Sequence, residues 1–126
     1  ARSFDQPIGS WNVSSVRDTS FMFSRALSFD QPLGDWNVSR VTDMSNTFYS
    51  ATSFNQKLGD WDMSSVRDMS YMFAYAASLN RSYADWNVSN ETDMHGIFTG
   101  AEVQVQVQVQ VQVQVVPLLF IGCYSQ

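Results

Sequence analysis

The chain reads as an α/β solenoid of four 25-residue coils, each holding one short strand and one short helix, followed by a long C-terminal β-strand arm. Three observations predict this architecture. Trp11, Trp36, Trp61 and Trp86 recur at a spacing of 25 residues. Each tryptophan is followed by a short stretch with apolar sites and then by a cap-like segment of consensus D-M-S-x-M-F-x-x-A, matched in full at residues 68–76. Beyond Glu102, Val and Gln alternate without a break from Val103 to Val115. A period of 20–50 residues is the signature of stacked repeats, in which each unit buries its apolar face on its neighbours.

Other columns keep the tryptophan register. Phe4, Phe29, Phe54 and Leu79 precede each Trp, while Ser14, Ser39, Ser64 and Ser89 follow it. Asp18, Asp43, Asp68 and Asp93 come next, then Phe23, Phe48, Phe73 and Phe98, then Ala26, Ala51, Ala76 and Ala101. Within one unit, residues 5–10 and 30–35 combine Pro, Gly and Asp and read as turns. Val13, Val16 and the position of Met44 mark a short extended stretch. Asp or Ser then stands where a helix N-cap would accept free N–H groups. Met22, Phe23 and Ala26 fit one face of about two helical turns. The Trp and Phe columns are therefore expected to form the core, because they recur at the coil period.

The unit resembles the 25–26-residue repeats of BspA-like leucine-rich-repeat surface proteins of bacteria and algae. The resemblance rests on F-D-Q-P-L-G-D-W-N-V-S-R-V-T-D-M-S at Phe29–Ser45 and F-N-Q-K-L-G-D-W-D-M-S-S-V-R-D-M-S at Phe54–Ser70, and it extends from Ser3 to Ala101. It implies a leucine-rich-repeat-like solenoid, an extracellular or cell-surface location, a role in adhesion or assembly, and no catalytic residues. The fourth copy departs from the pattern at Leu79, Arg81, Tyr83, Glu91, His95 and Gly96. Terminal repeats are often atypical because they cap the stack or meet a partner.

Two domains are expected: a solenoid over residues 1–102 and an arm over 103–126. All seven Lys and Arg and all twelve Asp and Glu fall between Arg2 and Glu102. The net charge of -5 argues against a nucleic-acid binder, which would carry a basic face. A single Cys, Cys123, excludes an intramolecular disulfide framework. The apolar run Val115–Tyr124 is about half of the ~20 residues a membrane-spanning helix needs, and Pro117 interrupts it, which argues against a span.

Strict alternation is a strand pattern, with Val on one face and Gln on the other. At ~3.3 Å per residue the tract would reach ~43 Å, whereas four coils at ~4.8 Å spacing rise only ~19 Å. An arm longer than its own stack has edges that its body covers only in part. Val103, Val105, Val107, Val109, Val111, Val113 and Val115 are thus the expected assembly strand. Pairing with a second copy, by strand donation or arm against arm, leads to a homopolymer. Folding back on its own coils and a low-complexity tract are the alternatives.

The Asp18, Asp43, Asp68 and Asp93 column reads either as a divalent-cation ladder or as a set of N–H acceptors at turns, and the second reading is preferred. Asn12, Asn37, Asn80, Asn87 and Asn90 are N-x-S/T sequons and candidate N-glycosylation sites, which would make glycans a covalent partner. His95 with Asp93 and Ser89 invites comparison with a catalytic triad, but composition alone defines none. No catalytic residue, metal site or cofactor is expected. The chain is read as a non-enzymatic structural subunit of an extracellular fibre, with a monomeric surface adhesin or ligand-binding module as the alternative.

Overall fold

A computed structural model describes residues 2–81, 83–101 and 109–112. Among the described residues there are two strands, β1 (Tyr83–Ser89) and β2 (Val109–Gln112), paired in parallel as a two-stranded sheet. The expected α/β solenoid of leucine-rich-repeat type is not what the chain forms. Among the described residues there is no helix, and repeats 1–3 hold no strand longer than a single bridging residue.

The helix expected around Met22, Phe23 and Ala26 is lost for a reason visible in its backbone. Met22, Ser24 and Ala26 N–H donate to the carbonyls of Thr19, Phe21 and Phe23, three residues back, as in successive tight turns. Phe21, Phe23 and Arg25 N–H instead leave the segment and donate to Ser45, Thr47 and Tyr49 of the next repeat, at 3.1, 2.8 and 2.7 Å. A helix needs every N–H to reach four residues back along its own turn. Here alternate donors are committed to a neighbour, so that ladder cannot form. Phe21 and Arg25 accordingly adopt positive φ (61° each), outside the helical region.

The same pattern joins repeats 2 and 3 and repeats 3 and 4. Asn46, Phe48 and Ser50 N–H donate to Ser70, Met72 and Ala74. Tyr71, Phe73 and Tyr75 N–H donate to His95, Ile97 and Thr99. Parallel bridges link Asp18, Asp43, Asp68 and Asp93 in turn. The strand expected at Val13, Val16 and the Met44 position reduces to these bridges, because the flanking N–H groups close local turns such as Val16 to Val13.

Rings fill the interior between the turn segments. Phe23, Phe48, Phe73 and Phe98 stack at centroid distances of 5.4, 5.6 and 5.8 Å. A second column, Phe4, Phe29 and Phe54, stacks at 5.6 and 6.0 Å and touches the first at Phe23–Phe29 and Phe48–Phe54. Each such pair adds about 0.5–1.5 kcal/mol beyond its area burial. Where the fourth repeat carries Leu79 in place of Phe, Tyr83 supplies the ring, 5.2 Å from Phe73 and 4.5 Å from Trp86. Ile8, Leu33 and Leu58 are buried as well, although they lie in segments whose Pro and Gly content reads as surface turn.

Buried indoles tie each repeat to the one before it. Trp36, Trp61 and Trp86 Nε1–H donate to the carbonyls of Ile8, Leu33 and Leu58 at 3.0, 2.9 and 2.7 Å. Trp61→Phe removes the indole N–H, leaving the Leu33 carbonyl with only the Trp36 N–H as donor. A loss of about 0.5–1.5 kcal/mol, one net hydrogen bond, in urea unfolding is expected, whereas Trp11→Phe should cost less than about 0.5 kcal/mol, as surface substitutions do.

The last repeat relieves the backbone strain with glycine. Gly96 (φ 65°) shares a column with Phe21, Asn46 and Tyr71, which all have positive φ. A Cβ at Gly96 would lie 2.5 Å from Tyr71 Cε1. Gly96→Ala should therefore destabilise the chain by about 1–3 kcal/mol. Adding Tyr71→Ala should recover the part due to the ring, as read from the unfolding midpoints.

Candidate functional site

The Asp18, Asp43, Asp68 and Asp93 column serves the backbone. Their Oδ1 atoms accept N–H bonds from Ser20, Ser45, Ser70 and His95 at 2.8–2.9 Å, closing a two-residue turn in each repeat. With no helix present, the capping role expected of these residues becomes a turn-closing one. Among the described residues no group of three or more His, Cys, Asp or Glu side chains is arranged to hold a metal ion. His95 meets Asp93 through its backbone N–H, and its ring stands edge-on to Tyr71 at 5.5 Å. Ser89 Oγ accepts the Glu91 N–H. No bond joins these side chains as a triad.

A second polar ladder was not anticipated from the sequence. Asp5 Oδ1 accepts from Asp30 N–H and Gln31 Nε2, both at 2.9 Å. Asp30 Oδ1 accepts from Asn55 N–H and Gln56 Nε2, again at 2.9 Å. Asn55 Oδ1 then accepts from Asn80 N–H. The signal was the Asp/Asn–Gln pair recurring at the repeat period just after each Phe.

The sequon asparagines Asn12, Asn37 and Asn87 share one column, and all three are exposed, as are Asn80 and Asn90. Asn12 and Asn37 Oδ1 accept the N–H of Ser14 and Ser39 at 3.0 Å. Asp62 takes the same place in repeat 3, where its Oδ1 accepts from both Ser64 Oγ (2.6 Å) and Ser64 N–H (3.0 Å).

Of the expected core, Trp36, Trp61, Trp86, Phe23, Phe48 and Phe73 are buried, and Phe98 is half-buried. Trp11 differs: it is 59% exposed. Phe21 and Met22 of the same repeat are exposed as well, at 60% and 43%. An open apolar cavity of about 300 Å³ lies there, lined by Phe4, Ile8, Trp11, Met22 and Phe23 among others. On the flank near the other end, an open polar concavity of about 600 Å³ is lined by Thr42, Ser64, Arg67, Glu91 and Thr92 among others.

Of the expected assembly strand, Val109 and Val111 lie in β2. Val103, Val105, Val107, Val113 and Val115 lie outside the described residues, as do Glu102, the expected domain boundary, and Cys123. Tyr83 pairs with Val109, Val88 with Val111 and Ser89 with Gln112, with a register irregularity between Tyr83 and Val88. The strand therefore takes the edge of repeat 4, about one repeat further along the chain. Burial pushes the Tyr83 phenol well above its ordinary pKa, against a smaller opposing effect of Arg81, and its hydroxyl donates to the Gln56 carbonyl at 3.0 Å. Among the described residues no helix is long and apolar enough to cross a membrane.

Three carboxylates, Asp5, Asp18 and Asp62, link the fold to pH, and two of them have an asparagine counterpart in their own column. The Ser64 hydroxyl and then its N–H hold Asp62 below the ordinary 3.8, and the Asp30 N–H and then the Gln31 amide hold Asp5 below it. Their folded-state pKa values are depressed, so the stabilisation is complete above 3.8 and is lost as pH falls through the folded-state values. Asp62→Asn and Asp5→Asn keep an acceptor oxygen in place, as Asn12 and Asn55 do in the same columns. The double variant should unfold with a flatter acid dependence below about pH 4, measured as urea midpoint against pH. An unchanged slope would mean that these bonds carry no acid sensitivity.

Neither a curated protein nor a solved structure matches the chain. A family model described as "Mycoplasma protein of unknown function, DUF285" matches residues 1–110. That match takes in all four repeats and most of the length, and the chain belongs to the DUF285 family.

Proposed function

We propose that the chain is a structural subunit of an extracellular or cell-surface fibre, of the BspA-like surface-repeat kind, and that it assembles with itself through its Val/Gln strand. The observation that carries this reading is β2. It adds to β1 in parallel at the edge of the last repeat, and its outer edge has no partner among the described residues. An open strand edge is a template for another chain. The tract that supplies it has no charge to hold like strands apart.

Addition to the end of a stack is a head-to-tail contact, and such contacts grow open filaments when the rotation does not close. The role proposed is non-enzymatic and needs no cofactor. The exposed sequon column at Asn12, Asn37 and Asn87 suits glycans on one flank of a secreted protein. A monomeric adhesin is the second reading, favoured by the open concavity beside Thr42, Arg67 and Thr92.

Electron microscopy of the full chain and of a chain lacking residues 103–126 tests the proposal. Filaments are expected from the first and discrete particles from the second. Discrete particles of about 14.3 kDa from both would overturn the fibre and favour the adhesin.

A further inference from the structure

Past the aspartates, from Thr19 to Arg25 and in the equivalent segments, the inter-repeat backbone bonds run in one sense. An N–H of the earlier repeat donates to a carbonyl of the later one, as Thr19 does to Asp43, Met44 to Asp68 and Met69 to Asp93. The two ends of the stack therefore differ in kind. On repeat 1 the carbonyls of Asp18, Ser20, Met22 and Ser24 occupy the accepting positions, and among the described residues nothing donates to them. On repeat 4 the N–H groups of Met94, Gly96, Phe98 and Gly100 occupy the donating positions, and among the described residues they reach no acceptor.

The indole bonds run the other way, from the later repeat to the earlier one, and they too leave repeat 1 without its partner. Trp36, Trp61 and Trp86 each donate to a carbonyl of the preceding repeat and are 4%, 5% and 1% exposed. Trp11 has no such acceptor among the described residues and is 59% exposed. Around it, Phe4, Ile8, Met22 and Phe23 line the open apolar cavity. The end face of repeat 1 is thus one half of an interface whose complete form occurs three times inside the same chain.

We propose that this face receives the C-terminal end of a second copy of the chain, led by the outer edge of β2. Three observations select that occupant. The turn carbonyls of the face need N–H donors, whereas the turn segment of another repeat 1 face presents the same unpaired carbonyls and does not match it. The layers of the stack are parallel throughout, and β2 continues that direction, so a second copy docks without a change of polarity. The β2 segment is uncharged, matching an apolar face centred on Trp11. The inference rests on the fibre reading and adds the acceptor surface that reading lacks.

The test uses full-length chains. One carries Trp11→Ser with Met22→Glu on the end face. A second carries Trp11→Ser alone, a milder change at the same face. A third carries Val109→Pro with Val111→Pro, which removes N–H donors from the strand. Circular dichroism and urea midpoints confirm that each is folded.

At a concentration where the wild type is filamentous, the Trp11→Ser/Met22→Glu chain should show about a tenfold or greater loss of sedimentable polymer, as expected at the centre of an interface. The Trp11→Ser chain should show a smaller loss. Mixed together, the Trp11→Ser/Met22→Glu chain and the proline chain should form discrete pairs, one supplying the strand and the other the face. End-face variants that polymerise like the wild type overturn this inference, assign the face to another occupant and leave the fibre standing. Absence of pairs in the mixture also overturns it. A wild type that remains single particles overturns the fibre and this inference together.

Discussion

Alternate backbone N–H groups in the turn segment bond across to the next repeat, and the rest of the structure depends on that division. Every second donor closes a local turn and every other one crosses a layer, so two adjacent repeats must keep the same chain length between equivalent residues. That requirement imposes the 25-residue period seen in the tryptophans. It also forces positive φ at Phe21, Asn46 and Tyr71 and at Arg25, Ser50 and Tyr75, which no isolated segment would favour. The inter-repeat bonds hold the strain in place, and the aromatic columns exclude water from the space between them.

The side chains reinforce the same register by three independent routes. Indole N–H groups reach back to Ile8, Leu33 and Leu58, and phenylalanine rings stack near-parallel from repeat to repeat. The Asp5, Asp30 and Asn55 side chains catch the next backbone N–H on the exposed flank. A shift of register by one residue would break all three at once. Repeat 4 meets the same demands with different residues: Tyr83 replaces the missing ring, and Gly96 takes the positive φ while leaving room for Tyr71.

The number of repeats and their phase were legible in the sequence, because Trp, Phe, Asp and Ala return at one spacing. The elements within the repeat were not. Met22, Phe23 and Ala26 satisfy helical spacing, yet the deciding bonds, such as Phe23 to Thr47, run between segments distant in sequence and leave no local mark. Ile8, Leu33 and Leu58 escaped notice because neighbouring Pro and Gly advertise a turn, although the apolar column at the repeat period was there to be read. The turn column's aspartates were correctly read as N–H acceptors, but the helix they were meant to cap does not exist. Trp11 looked identical to its three counterparts, and only its place at the end of the stack makes it different.

The shared sense of the inter-repeat bonds from Thr19 to Arg25 and in the equivalent segments has an electrical consequence. Aligned N–H and C=O groups sum to a dipole, as they do in an α-helix. In a helix the unpaired N–H groups gather at the N-terminus and make it positive. Here the unpaired carbonyls gather at repeat 1, so the column is negative toward its N-terminal end and positive toward repeat 4. Bonds of the opposite sense on the flank, such as Thr42 N–H to the Arg17 carbonyl, offset part of it. The remaining field would draw cationic groups toward Asp18 and Met22 and anionic groups toward Gly96 and Gly100, the reverse of what an equally long helix would attract.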